Sequence, residues 1–123
     1  MDRKSIIQDV IDRKRARSYL EIGVSTGSNF LQIRAPVKLA VDPCFRIPVK
    51  EKFKWLLKNP CNVSARYFSM TSDEFFRTQD VKGGLDVVYV DGLHTWQQAL
   101  TDIENALHYL NDGNVIIAHD CNP

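Results

Sequence analysis

The chain has 123 residues, a length that fits one domain with a substantial hydrophobic core. Its formal net charge of +1 gives no overall electrostatic preference for nucleic acid or acidic lipid, and no stretch approaches the roughly 20 apolar residues of a membrane-spanning helix. Three scattered cysteines and an N-terminus without a signal-peptide hydrophobic region fit a reducing cytoplasm. We therefore expect a single cytoplasmic domain over residues 1–123, with neither nucleic acid nor a membrane as a partner.

Helical and strand patterns alternate along the whole chain. In chain order the predicted elements are helix 3–15, strand 18–22, short helix 28–33, strand 37–41, helix 49–57, strand 63–68, a helix opened by a capping box at Thr71, strand 85–90, helix 96–110 and strand 114–118. Pro43 follows the second strand, because proline cannot continue a strand ladder, and Gly113 follows the last helix. Strands joined by helical crossovers pair in parallel, so the sequence predicts an open, doubly wound α/β sheet of five strands.

Polar side chains follow the last two predicted strands. The runs at residues 87–90 and 115–118 show no polar alternation, as expected of strands that are buried on both faces. Asp91 and His94 come after the first run, and His119 with Asp120 comes after the second. Ligands of open α/β sheets bind beyond the carboxyl ends of such strands, so these four residues are expected to form the rim of an active site.

A glycine turn, residues 23–27, lies between the first strand and its helix. Its pattern, E-x-G-x-x-x-G, lacks the third glycine of a dinucleotide site and the Lys-Ser/Thr of a phosphate-binding loop. Asp42, at the end of the second strand, is placed where an acid accepts the hydroxyls of a ribose, which favours a nucleoside without a pyrophosphate. In the alternative interpretation, Gly23 and Gly27 only make a tight turn, and Asp42 only caps a loop.

These residues carry a resemblance to a known family. The motifs, in order, are Glu21-Ile22-Gly23-Val24-Ser25-Thr26-Gly27, Val41-Asp42-Pro43, Thr71-Ser72-Asp73-Glu74-Phe75-Phe76, Val90-Asp91-Gly92-Leu93-His94 and His119-Asp120. From Tyr19 onward the chain resembles class I S-adenosylmethionine-dependent methyltransferases. The most similar branch is that of small-molecule O-methyltransferases, typified by macrolide-sugar and cephalosporin-hydroxylase-like proteins. The resemblance implies a Rossmann-like sheet with strand order 3-2-1-4-5.

The resemblance also implies a role for each motif residue. The residues implied to bind S-adenosylmethionine are Glu21, Gly23, Ser25 and Gly27 at its amino-acid end, Asp42 at the ribose, Thr71 and Ser72 on the adenine side, and Asp91. The implied catalytic residues are His94, as general base, and Asp91. The implied ligands of a divalent cation, magnesium or manganese, are Asp91, His119 and Asp120.

The sequence departs from the family in two respects. His119 stands where some relatives have Glu, and magnesium prefers oxygen ligands, so an imidazole there suits manganese, iron or zinc better, or no metal at all. The second departure is in length. The family normally has seven strands, so residues 1–123 are expected to be C-terminally truncated and to lack the last two.

His94 has an alternative interpretation as the cap of a helix that begins near Thr95.

The expected function is S-adenosylmethionine-dependent O-methylation of a small hydroxylated metabolite. The alternative is a non-catalytic or incomplete cofactor-binding module. The apolar fifth strand would form an open sheet edge, which predicts a homo-oligomer paired through that edge.

Overall fold

The fold is a parallel sheet between two layers of helices and turns, described by a computed structural model over residues 2–81, 84–91 and 96–119. The α-helices are α1 (Arg3–Lys14), α2 (Val49–Lys58), α3 (Ser72–Thr78) and α4 (Trp96–Tyr109). The strands are β1 (Ser18–Ile22), β2 (Val37–Val41), β3 (Arg66–Phe68), β4 (Leu85–Asp91) and β5 (Leu110–His119). Within these ranges, no helix combines the length and the apolar character needed to cross a bilayer.

The strand order is β3-β2-β1-β4-β5, and every neighbouring pair is parallel. This confirms the predicted fold class and strand order. Ile22, at the end of β1, is level with Val41 of β2 and with Val90 of β4. Asp91 of β4 is level with His119 of β5. Because all strands run the same way, their carboxyl ends meet at one edge of the sheet.

The core lies on both faces of the sheet, which explains the uninterrupted apolar runs of the strands. On one face α1 places Ile7 and Ile11 in a cluster with Tyr19 and Tyr89. On the other face α3 and α4 pack against alternate strand residues. That second cluster includes Leu20, Ile22, Phe75, Val88 and Ala99. The central strands are therefore buried from both sides, and the accessible parts of these strands are their ends.

Three predicted elements differ from the observed ones. The helix expected over 28–33 is a single 3-10 turn, Phe30–Gln32, because Asn29 bonds Glu21 instead of capping a helix. The third strand is shorter than expected, since Pro60–Ser64 forms a 3-10 turn capped by the Asn59 side chain. The last strand begins at Leu110, so Gly113 lies within it at φ +77°, in a section whose register against β4 is irregular.

Candidate functional site

A cavity of about 340 Å³ opens at the carboxyl edge of the sheet, between the strand ends and the N-terminal halves of α3 and α4. Its lining residues are Ile22, Gly23, Val41, Pro43, Thr71, Ser72, Asp73, Asp91, Gln98 and Asp102. Four residues implied to bind the cofactor, Gly23, Thr71, Ser72 and Asp91, are thus brought together from three separate segments. This edge is where open α/β sheets bind ligands.

The first wall of the cavity is the glycine turn after β1. Gly23 has φ +86°, and its N–H donates to the Val41 carbonyl over 2.9 Å. A Cβ at Gly23 would lie 3.2 Å from the Asp91 Cβ, and a Cβ at Gly27, where φ is +76°, would lie 3.0 Å from Ile47 Cγ1. Both glycines are therefore required by a left-handed backbone and by close packing.

Asp42 holds the glycine turn against the loop that follows β2. One carboxylate oxygen accepts the Ser25 N–H over 2.7 Å, and the other accepts the Cys44 N–H over 2.8 Å. The Ser25 carbonyl in turn accepts the N–H of Arg46 over 2.9 Å. These contacts match the alternative interpretation in which Asp42 caps a loop. Asp42 does not line the cavity described above. A contact between Asp42 and a ribose stays a prediction.

Glu21 lies beneath the turn rather than in the cavity wall. Its side chain is 1% exposed, and Oε1 accepts the Tyr19 hydroxyl over 2.5 Å and Asn29 Nδ2 over 2.9 Å. Burial raises the pKa of Glu21 to about 7, although both hydrogen bonds act to lower it. Glu21 thus joins β1 to the Phe30–Gln32 turn and supports the loop from below.

The second wall of the cavity is a polar cluster between α3 and α4 that the motifs did not reveal. The Ser72 hydroxyl donates to the buried Asp102 carboxylate, and Gln98 Nε2 donates to the same oxygen over 3.0 Å. Gln98 also contacts Asp73 Oδ1 at 3.4 Å. One sequence signal was present, since Gln98 and Asp102 are four residues apart and therefore share a face of the predicted helix.

The N-terminal helix reaches the rim through Arg3. Its Nη1 lies 3.5 Å from Asp91 Oδ2 and donates to the Tyr89 hydroxyl over 3.4 Å. The Asp91 side chain is 9% exposed, whereas that of Arg3 is 50% exposed. A guanidinium therefore stands beside the carboxylate that was expected to bind a metal.

The divalent cation finds no support in the described residues. His119 is next to Asp91 across the strands, as expected, but no group of three or more His, Cys, Asp or Glu side chains that could hold a metal occurs in the described ranges. The implied third ligand, Asp120, and the implied base, His94, lie outside the described residues. We therefore assign no chemical step to a metal.

A second cavity, of about 430 Å³, lies at the opposite, amino-terminal edge of the sheet. Asp86 in its wall accepts the backbone N–H groups of Arg17 and Ser18 over 2.8 and 3.2 Å, and Asn111 Nδ2 over 2.7 Å. These bonds fasten the starts of β1 and β4 together. The carboxyl edge, with its converging motif residues, is the stronger candidate for a ligand site.

Comparison with protein families identifies the class of protein to which this architecture belongs. The sequence profile of a family described as a methyltransferase domain matches residues 20–121. The chain belongs to this methyltransferase family. Among curated proteins, no sequence matches the chain significantly. The matched segment starts in β1 and contains every segment that forms the cavity.

Solved structures share this methyltransferase fold. A caffeoyl-CoA O-methyltransferase candidate from Staphylococcus aureus is 17% identical, with a TM-score of 0.68 over 96% of this chain and 57% of the other. An O-methyltransferase candidate from Klebsiella pneumoniae is 14% identical, with a TM-score of 0.70 over 94% and 53%. The N-methyltransferase NodS from Bradyrhizobium japonicum WM9 is 13% identical, with a TM-score of 0.64 over 94% and 65%. The chain thus spans just over half the length of the first two structures.

The crowding at Gly23 gives a stability prediction. We expect Gly23→Ala to lower the free energy of unfolding by roughly 1–3 kcal/mol more than Gly113→Ala, as measured by urea denaturation. Both glycines have positive φ, but among the described residues no atom lies within 4 Å of a Cβ at Gly113. The control variant therefore reports the backbone strain alone. Equal losses in the two variants would show that the approach to Asp91 is not a constraint.

The raised pKa of Glu21 gives a pH prediction. Between the ordinary value of 4.5 and about 7, the folded state holds this proton more tightly than the unfolded state does. The free energy of unfolding should therefore fall by about 3 kcal/mol as pH rises through this window, and Glu21→Gln should remove that fall. Denaturation at a series of pH values measures it, with the exposed Glu104→Gln as control. Parallel curves for wild type and Glu21→Gln would refute the assignment.

Proposed function

We propose that the cavity at the carboxyl edge binds S-adenosylmethionine, and that the protein uses it to O-methylate a small hydroxylated metabolite. The observation that carries the proposal is the convergence of Gly23, Thr71, Ser72 and Asp91 on one cavity in a chain of the methyltransferase family. When bound, this cofactor supplies an electrophilic methyl group on a sulfonium, so the protein's own contribution is chiefly positioning.

The lining of the cavity fits such a ligand. About 340 Å³ falls within the range of small-molecule sites, roughly 300–1,000 Å³. The carboxylates of Asp73, Asp91 and Asp102 give the site an acidic character that complements a cationic ligand. Apolar side chains of Ile22 and Val41 offer a surface for an uncharged ring. One of the structures with this fold, PigF, was solved with S-adenosylhomocysteine, with a TM-score of 0.51 and 16% identity.

In this proposal the turn after β1 holds the amino-acid end of the cofactor. Gly23 presents backbone without a side chain at the cavity, and Asp42 keeps the turn in place through Ser25. Glu21 acts as a positioning residue from beneath, through its bond with Asn29. Thr71 and Ser72 would face the adenine side. Their placement is fixed because Thr71 Oγ1 accepts the Glu74 N–H at the start of α3.

The acceptor side of the site follows β4. Asp91 faces the cavity and would orient the acceptor hydroxyl, and His94, three residues further on, would accept its proton. An imidazole suits that task, because its ordinary pKa of about 6.5 lies near neutral pH. The Arg3 guanidinium, 3.5 Å from Asp91 Oδ2, would help to orient that carboxylate. This division of roles needs no metal in the reaction.

The alternative is a cofactor-binding module without turnover. The chain covers 57% and 53% of two similar structures, so turnover by this segment is proposed separately from cofactor binding. Acceptor pockets are built largely from loops and variable elements, so binding and turnover need not coincide in this segment. We also propose, together with the methyltransferase function, that the protein is cytoplasmic and that it forms a homo-oligomer through β5, an edge strand of the sheet.

Binding of the cofactor is tested by calorimetry. We expect S-adenosylmethionine to bind and nicotinamide dinucleotide not to bind. Asp91→Asn should weaken binding about tenfold or more, because a charged partner of a cationic ligand is lost. Asp112→Asn, at an exposed position of β5, should leave the affinity unchanged. Failure of the wild-type chain to bind S-adenosylmethionine would contradict the proposal.

The role of His94 is tested separately from binding. We expect His94→Ala to keep its affinity for S-adenosylmethionine but to lose about 100-fold in turnover on a hydroxylated acceptor, since general-base catalysis contributes that much. Its pH–rate profile should also lose the inflection near neutral pH. His108→Ala, at the exposed end of α4, is the control. Full turnover by His94→Ala would exclude it as the base, and cofactor binding without any wild-type turnover would favour the module.

A further inference from the structure

Helix α2 carries its apolar stripe on the outside of the protein. None of its residues is buried, and Val49, Phe53 and Leu57 are 71%, 65% and 84% exposed. Trp55, on another side of the helix, is instead packed partly against the core. A surface helix of a globular protein ordinarily turns its apolar stripe inward. The described part of the chain therefore leaves the apolar side of α2 largely uncovered.

This stripe belongs to a larger apolar surface. Leu56 on α2 and Val63 in the following 3-10 turn are also exposed. We refer to Val49, Phe53, Leu56, Leu57 and Val63 together as the α2 face. An apolar cavity of about 250 Å³ between α2 and Tyr67 is lined by three of these residues and continues the face toward the sheet.

The charges around the α2 face are almost all positive. On the helical repeat, Lys52 lies on one side of the stripe, while Lys50 and Lys54 lie on the other. Lys58 is the last residue of the helix. Residues 46–66 contain six basic side chains and one acidic one, whereas the remainder of the chain contains ten basic and fourteen acidic. The overall charge of +1 therefore conceals a strongly basic region around an exposed apolar stripe.

These charges disfavour a second copy of this chain as the partner. A two-fold interface brings the same patch of both subunits together, so the lysines of one copy would face those of the other. The single acid, Glu51, lies on the helix within 4.0 Å of Lys54 Nζ and cannot balance four lysines. The occupant that complements the α2 face must offer both apolar contact and negative charge.

We propose that the α2 face docks on an anionic lipid surface. A helix with Phe and Leu on one side, lysines along both flanks and low overall hydrophobicity is the pattern of helices that lie in the membrane interface. The projecting side chains of Leu57 and Val63 would enter the headgroup boundary, and the flanking lysines would contact acidic headgroups. The expectation of no membrane partner rested on net charge and on spanning segments, and neither measures this local asymmetry. The proposal does not depend on the methyltransferase activity.

Vesicle co-sedimentation of the full chain tests the proposal. We expect binding to phosphatidylcholine vesicles that contain phosphatidylserine, little binding to phosphatidylcholine alone, and weakening as NaCl is raised. Leu57→Ser should weaken binding to the anionic vesicles about tenfold, because it removes the most exposed apolar side chain of the face. Leu107→Ser, the same change at an exposed position of α4, should leave binding unchanged.

Three results would overturn the proposal. Absence of binding to both kinds of vesicle would leave an acidic protein surface as the occupant that the charges favour. Equal weakening by Leu57→Ser and Leu107→Ser would show a nonspecific effect of surface hydrophobicity. A dimer in analytical ultracentrifugation that is lost in Leu57→Ser but kept in Leu107→Ser would assign the α2 face to a second copy.

Discussion

The backbone turn at Gly23 is the constraint on which the candidate site depends. β1 is the central strand, and the chain must leave it where β2 and β4 also end. The Gly23 N–H bonds the Val41 carbonyl of β2, while its α-carbon faces Asp91 of β4 so closely that a Cβ would lie 3.2 Å away. A left-handed glycine thus joins three strand ends, and the cavity opens above that junction.

Buried polar groups keep the junction in place. Asp42 accepts two backbone N–H groups, and Glu21 accepts a hydroxyl and an amide. Nearer the start of β2 and away from the junction, fully buried Lys38 donates from Nζ to the Phe30 carbonyl over 2.6 Å and to Asn62 Oδ1 over 2.5 Å, and burial lowers its pKa to about 8. Each group has partners that offset the cost of leaving water, so the loops around the site are held before a ligand arrives.

Local patterns in the sequence predicted the sheet well, because buried parallel strands leave continuous apolar runs such as residues 87–90. They also predicted the α3 cap at Thr71. The strand order that the family resemblance implied places β5 beside β4, where Asp91 lies opposite His119. Contacts between distant segments were not predictable in this way. Arg3 and Asp91 are 88 residues apart in sequence, and no local pattern pairs them. Likewise, the spacing of Phe53, Leu56 and Leu57 puts them on one side of a helix, but periodicity cannot tell whether that side faces the core or solvent.

If the cavity at the carboxyl edge is the cofactor site, a ligand must change the surroundings of its lining residues. Nuclear magnetic resonance of the ¹⁵N-labelled chain, titrated with S-adenosylhomocysteine, measures this residue by residue. We expect the amide signals of Gly23, Ser72 and Asp91 to shift on binding, while those of Arg17 and Ser18 at the opposite cavity stay in place. Shifts confined to the amino-terminal edge, or no shifts at saturating ligand, would contradict this assignment of the cavity.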